Sequence, residues 1–560
     1  GDYAGGFVGW FKGNSTNRMA KISFIGKNWF SVAHQNKTGV SSVKYAGGIA
    51  GAMGESDGDA NIEFAIGSKL YILSTISAEQ ERAGGLIGDM RRGYLHIDKV
   101  VLHDDKSKVM SVVSSPLYAG GVAGYLRDEC SIEASQRFSF KRNTNIDKIP
   151  SLSEIRKPDI TVEVNGTEYV GGAVGYLERM TGLRYCHINA AVTGSSAVGG
   201  AIGGASGSSD GTRACQISNV VTNGEVTGSD KNVGGIVGHI KGRVEVFDCI
   251  NYANVDDGGY GITVGGIVGY SEHSGDYGGA PHIYYCVNTG TVTGCRTVGG
   301  VLGASYASLG SYPDTIMVDC CANYGKINGN ANDKKDSHTG YGGIMGTSSN
   351  TQGITLAHCA NFGDIEVNCW AHGVGGIVGA IGNDPGGIEM SEVSNFHVWE
   401  CANHGNISGS SSGFHCGGIA GYMEEGASTS GNHACVEGCY NWGDIDVDVD
   451  GDHGLGGLAG YLDRYAEIWR SINFKMLTGY TGESNTGRIW GKCKGSYTTK
   501  YNYYMSSENK DGGFTEDKMS NASTFGDLNI NKDGSFWVMS DGDPHPQIRN
   551  CPFQNATYNE

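Results

Sequence analysis

Thirteen copies of one short pattern, G-G-x-x-G, run through this 560-residue chain, and they limit its fold more than any other feature. They begin at Gly5, Gly47, Gly84, Gly120, Gly171, Gly199, Gly234, Gly265, Gly299, Gly342, Gly375, Gly417 and Gly456, about 38 residues apart on average. Self-similarity at such a period is the signature of a solenoid or array, in which each unit is too small to bury a core alone and is stabilised by its neighbours. The intervals run from 28 to 51 residues, so loops of different length are inserted between the repeating parts.

The third position of the pattern is apolar in every copy: Phe7, Ile49, Leu86, Val122, Ala173, Ala201, Ile236, Ile267, Val301, Ile344, Ile377, Ile419 and Leu458. The fourth is apolar throughout as well, from Val8 to Ala459. Successive strand residues point to opposite faces, so two adjacent apolar positions predict burial on both sides, with the glycines admitting another layer close to the backbone.

A second pattern, C-x-N-x-G-x-[VI], runs in phase with the first. Its cysteines are Cys186, Cys249, Cys286, Cys321, Cys359, Cys401 and Cys439, and "VVTNGEVTG" places Val220 in the same slot. Its asparagines are Asn251, Asn288, Asn323, Asn361, Asn403 and Asn441. Each turn is therefore expected to carry two short strands with polar inserts between them. Glycine, at 93 residues, is roughly twice its usual share, while short Val, Ile, Thr and Tyr runs bounded by Gly, Asn and Asp predict β structure. The fold class expected is all-β: a parallel β-helix or β-solenoid of about thirteen irregular coils, right-handed, with a C-terminal cap. Degenerate repeats with longer inserts occupy 1–180, including the basic "SFKRNTNIDKIPSLSEIRK" near 139–157. The regular array follows over 181–462, and a capping region over 463–560, with "NKDGS" read as a tight turn.

The thirteen glycine copies, the interleaved cysteine–asparagine copies and a terminal W-(x)n-P-x-P together resemble the GLUG-repeat proteins of bacterial surfaces, notably of gut Bacteroides. Such repeats also form part of some immunoglobulin A-cleaving metallopeptidases. The resemblance implies a β-helix-like solenoid at the cell surface or secreted, often an adhesin, and no catalytic residues. The zinc H-E-x-x-H module of the peptidases is missing, since no His-Glu pair occurs in this chain.

The formal net charge of −18 argues against nucleic-acid backbones and anionic lipid as partners. No apolar run is long enough to span a bilayer. The chain opens on "GDYAGGFVGW", already inside a repeat, so a longer precursor is expected and the lack of a leader is uninformative. A phosphate-loop reading of the glycines fails because thirteen copies occur without a following helix or GK[ST]. The cysteine column lacks paired C-x-x-C spacing, and Val220 in it favours stacked apolar filler over metal ligation. Strands stacked about 4.8 Å apart are within disulfide range, so cross-coil bridges stay open, as does the role of the other cysteines, Cys295, Cys369, Cys416, Cys493 and Cys551 among them. The asparagines are read as a structural ladder.

Two features are candidate ligand sites, each weighed against a purely structural reading. The residue after each asparagine is Tyr252, Thr289, Tyr324, Phe362, His404 or Trp442. If the asparagines face inward, Tyr252, Tyr324, Phe362, His404 and Trp442 form an outward aromatic stripe suited to a glycan or a partner chain, unless loops cover it. In "DIDVDVDGDHG", Asp444, Asp446, Asp448 and Asp450 alternate and would share one strand face, a site for calcium or a solvated surface. The G-x-S-x-G matches at 54–58 and 409–413 lack a strand–helix elbow. The functional expectation is a non-catalytic, monomeric surface or secreted adhesin binding a glycan or host protein, with no cofactor beyond possible calcium. A passive stalk and a polysaccharide-degrading β-helix enzyme are the alternatives.

Overall fold

A computed structural model describes the chain except for residues 14–18, 25–28, 34–38, 56–58, 65–68, 74, 98–99, 102, 105–108, 111, 135–147, 260–261, 274–278, 308–314, 330–338, 351–352, 383–395, 410–413, 425–432, 450–451, 478–485, 508–512, 533–534, 541–542, 544, 556 and 559–560. The chain forms two compact units. One comprises Gly1–Lys141, Leu152–Gly261 and Gly266–His282, the other Arg142–Ser151, Ile262–Gly265 and Ile283–Glu560.

Both units are parallel β-solenoids with the same coil. In the second unit one coil runs through strands Gly340–Gly342, Met345–Asn350, Ile354–Ala357, Ala360–Asn361 and Ile365–Val367. In the first, Ser196–Gly199, Ile202–Ser206, Cys215–Ser218 and Val221–Thr227 make the equivalent turn. The second-unit coil thus has five strands on four faces where two strands were expected, because each motif is broken into two strands and a further strand, Ile354–Ala357, precedes the cysteine. Every strand pairs in parallel with its counterpart one coil away. The register keeps the motifs aligned: Gly299 opposes Gly342, which opposes Gly375, and Asn323 opposes Asn361, which opposes Asn403.

From the second copy onward the adjacent apolar positions are both buried, for a reason other than a sheet covered on two sides; in the first copy Phe7 is 59% exposed and Val8 half-buried. Gly340–Gly342 ends at a corner, and Met345–Asn350 begins just beyond it. At that corner the Ile344 and Met345 amides both donate to the carbonyl of Ile377, at 2.9 and 3.0 Å. The bend turns both side chains into the interior, where neither has any exposure.

The two motifs run in phase because they touch. In the second unit the asparagines form an unbroken interior ladder. Nδ2 of Asn288 donates to Oδ1 of Asn323, and the same bond links Asn323 to Asn361, Asn361 to Asn403 and Asn403 to Asn441, each at 2.8 Å. Asn441 continues the ladder to Asn473 at 3.0 Å. The other Nδ2 hydrogen closes a turn onto the carbonyl two residues on, as from Asn361 to Gly363 at 3.0 Å. The second glycine of each G-G-x-x-G lies against this ladder. A Cβ on Gly343 would sit 2.1 Å from the Gly376 carbonyl oxygen and 2.3 Å from Cγ of Asn361. Only glycine leaves room for the amide.

All sixteen cysteines are free thiols, and every one except Cys493 is buried. Burial pushes the Cys359 and Cys401 thiols well above their ordinary range, as inert interior filler requires. The coil geometry also outlasts the repeat motif. Beyond 463, Trp490–Cys493, Thr498–Lys500 and Tyr503–Met505 still pair with the coil before, and Gly487-Arg488-Ile489-Trp490-Gly491 replaces a further motif copy. Only after that coil does the chain leave the array. Part of the turn expected at "NKDGS" lies outside the described residues. Among the described residues no helix is long and apolar enough to cross a membrane.

Candidate binding faces

The aromatic column expected after the asparagines forms in the second unit. Tyr324 stacks on Phe362 with centroids 4.6 Å apart and planes 4° apart, and Phe362 stacks on His404 at 4.8 Å and 11°. The rings are half-buried rather than outward-facing, and the chain itself takes up the column's end. The tail beyond the last coil returns along the array. Trp537 is fully buried, with its indole N–H donated to the Arg470 carbonyl at 3.1 Å. His545 packs 4.3 Å from Trp442 and 4.6 Å from Phe474, and Asn550 donates to Glu400 at 3.0 Å. Thr557–Tyr558 then pairs with Lys148–Ile149. His545, the central residue of the terminal motif, is therefore seated among aromatic rings, while Pro544 lies outside the described residues. Tyr252 belongs to the first unit and is half-buried.

The acidic segment has the alternation expected. Ile445 and Val447 are buried while Asp444, Asp446 and Asp448 are exposed; Asp450 lies outside the described residues. Lys475 Nζ sits 3.2 Å from the Asp444 carboxylate, so a cation of the chain's own already neutralises one end.

A larger aromatic surface lies elsewhere, on the strands that flank the glycine corner. Two motif positions feed it: the residue two before the first glycine and the residue directly after the last. In the first unit these bring together Tyr3, Tyr45, Arg82, Tyr118 and Tyr169 from one strand column, and Trp10, Asp89, Tyr125 and Tyr176 from the next. The rings form two clusters, Tyr3, Trp10 and Tyr45 in one and Tyr118, Tyr125, Tyr169 and Tyr176 in the other, joined into one network by Arg82. Tyr3 stacks on Trp10 at 5.4 Å and 12°, Tyr118 on Tyr169 at 5.3 Å and 23°, and Tyr125 on Tyr176 at 5.4 Å and 20°. Edge-to-face contacts join the columns, with Tyr118–Tyr125 and Tyr169–Tyr176 both at 4.8 Å. Such geometries are those favoured by the aromatic quadrupole.

Arg82 replaces tyrosine at the centre of this surface. Its guanidinium lies 4.2 Å from the Tyr125 ring centroid and 5.1 Å from that of Tyr45. It is fixed there by Asp89, a carboxylate with no exposure that also binds Arg91, both at 2.6 Å, with Arg127 at 3.6 Å. A buried carboxylate ringed by three guanidinium groups is an anchor for those cations rather than a free acid or base. Tyr125 donates to Glu178 at 2.7 Å, and burial together with that carboxylate holds its hydroxyl protonated. Trp10 keeps 39% of its surface exposed, and the remaining rings except Tyr125 are half-buried.

The second unit has its own version at the same motif positions. Tyr422 stacks on Tyr461 at 4.9 Å and 8°, and His415 lies 4.7 Å from Tyr461, while His372, one residue further from its glycine pair, lies 4.0 Å from Tyr422. The signal was present in the sequence as G-G-x-x-G-[YW] at Trp10, Tyr125, Tyr176, Tyr270, Tyr422 and Tyr461. It falls one residue outside the pattern whose repetition draws attention.

No family model matches the chain, so its likeness to GLUG repeats rests on the motifs alone. No curated protein matches it either. Among solved structures the chain is similar to the crystal structure of "a putative immunoglobulin A1 protease from Bacteroides ovatus", at 16% identity over 63% of this chain and 77% of that chain, with a TM-score of 0.26. So loose a superposition transfers no activity, and the solenoid assignment stands on the strand ladders themselves.

Proposed function

We propose that this chain is a non-catalytic bacterial surface or secreted protein, an adhesin in which the solenoid displays the Tyr/Trp/Arg network as a glycan-binding face. The observation that carries the reading is the continuity of that network over successive coils of the first unit, from Tyr3 and Trp10 to Tyr169 and Tyr176. Aromatic and arginine side chains supply binding energy out of proportion to their number, and rings already stacked lose little freedom when a ligand arrives. The carboxylates within the face serve Arg82, Arg91 and Tyr125, which supports binding over hydrolysis.

The test is a glycan array and a host-protein panel, with and without calcium, comparing wild type with Tyr118→Ala/Tyr169→Ala and with Trp442→Ala. Loss of two central rings should weaken a bound glycan by roughly 1–3 kcal/mol, about ten- to a hundredfold. Trp442→Ala, on the self-covered column, should leave binding unchanged. Binding to proteins alone would assign the face to a protein partner. Indifference of every ligand to the double substitution would favour the spacer reading, which the self-covered column also supports. Turnover on a polysaccharide panel would overturn the non-catalytic assignment.

A further inference from the structure

The corner just before the cysteine column carries a second ladder. Left-handed backbone recurs there in each unit, at Asn219 and Asp248 in the first and at Tyr285, Cys320, His358, Glu400, Gly438 and Arg470 in the second, with φ between 49° and 66°. Asn, Asp and Gly accept that conformation readily, whereas Cys and Glu are strained in it. Tyrosine and arginine occur at this corner too, so strain alone does not single out Cys320, His358 and Glu400. Their convergence does.

The ligating atoms of Asp319, Cys320 and His358 all lie within 4.8 Å of one another. His358 Nδ1 is 2.6 Å from the Asp319 carboxylate. Its other nitrogen, Nε2, faces Glu400 at 3.6 Å, and Glu400 is held in turn by Asn550 of the returning tail. A histidine with one nitrogen turned toward a thiol and a carboxylate, and the other toward a second carboxylate, has the arrangement of a zinc ligand with its orienting partner. Soft, borderline and hard donors in one set, S, N and O, suit Zn2+ better than calcium or magnesium.

We propose that Asp319, Cys320 and His358 bind a single zinc ion, clipping two successive coils at their corner, and that Glu400 is the positioning residue for the His358 ring. Binding forms a sulfur–zinc bond and releases the thiol proton of Cys320 to solvent. The Nδ1 proton of His358 is given up as the ring takes its Nε2–H tautomer facing Glu400, and bonds from Nδ1 and from the Asp319 carboxylate to the metal replace their hydrogen bond. Three protein ligands leave one tetrahedral position, which a water fills. Cys320 is 6% exposed, so it is a structural clip rather than a reactive thiol.

The experiment uses the full chain in a Cys493→Ser background, which removes the exposed thiol. The apo protein is titrated with Zn2+ by calorimetry and with Co2+ by absorption spectroscopy. The expected result is one equivalent of zinc per chain and a thiolate-to-cobalt charge-transfer band, both abolished by Cys320→Ser and by His358→Asn. Glu400→Gln should retain the cobalt band but weaken zinc about 10- to 100-fold. Circular dichroism of each apo variant separates lost binding from lost folding. Should His358→Asn misfold, Asp319→Asn serves in its place, with a loss of affinity expected. Substoichiometric uptake, a cobalt spectrum without the thiolate band, or affinity unchanged in Cys320→Ser would each overturn the site.

Discussion

At the scale of single residues, the interior is specified by an amide and filled by thiols, and the two are not equally replaceable. Asn361 accepts from Asn323, donates to Asn403 and donates to the Gly363 carbonyl, with no exposure to water. Asn361→Ala leaves three buried polar groups short of a partner, each worth about 1–3 kcal/mol and not fully additive, so a loss of roughly 3–5 kcal/mol is expected. Cys359→Val, in the adjacent column, should cost less than about 1.5 kcal/mol, because Val220 already occupies the same slot in another coil. Denaturant unfolding of the two variants side by side checks this contrast. Equal losses would mean that the amide ladder is no more specific than the apolar filler. The ladder was legible in the sequence because its members recur at one motif position. The corner ladder of Cys320, His358 and Glu400 was not legible, since nothing in a residue's identity announces left-handed backbone when tyrosine and arginine adopt it too.

At the scale of elements, the returning tail decides what the aromatic column does. Its W-(x)n-P-x-P signature was visible, but its destination was not, because each contact joins residues far apart in sequence, such as His545 to Trp442 and Trp537 to Arg470. The tail interface contains two histidines that resist protonation. Burial, with His545 alongside, pulls the pKa of His404 down to about 4. His545 is lowered as well, by burial above all. For a group whose folded pKa is depressed, stability is intact above the unfolded value near 6.5 and is lost as pH falls toward the folded value. His404 alone amounts to about 3 kcal/mol across pH 6.5 to 4. His358 acts in the opposite sense. Burial lowers its pKa, but Asp319 and Glu400 more than reverse the effect, so its contribution is greatest at acid pH and fades as pH rises. With two histidines against one, the tail should become accessible to limited proteolysis between pH 6.5 and 4 while the array persists. His404→Phe with His545→Phe keeps the stacked rings without the protons and should flatten that profile. An unchanged profile in the double variant would locate the acid sensitivity elsewhere.

At the scale of the whole molecule, a solenoid's stability is close to a sum of coil terms and nearest-neighbour interfaces, which makes one coil removable in register. The second unit offers a clean excision. Joining Cys359 to Ala402 deletes 360–401 and leaves the cysteine, asparagine and glycine columns continuous, since Ala360–Asn361 and Ala402–Asn403 occupy identical slots. Deleting 360–379 instead removes only part of a coil and places unlike faces against each other. The full-coil variant should keep its β circular-dichroism signal and remain monodisperse, while the partial deletion should unfold or aggregate. The tail supplies a stricter readout. It is fixed to Trp442 and Phe474 through His545, and to Lys148–Ile149 through Thr557–Tyr558. Removing that coil deletes Glu400, the partner of Asn550 between those anchors. The array should therefore survive while the tail's far end detaches and becomes protease-sensitive. Intact tail protection in the full-coil deletion would show that the tail follows the array without being measured against it, and collapse of both deletions alike would mean that these coils do not behave as independent units.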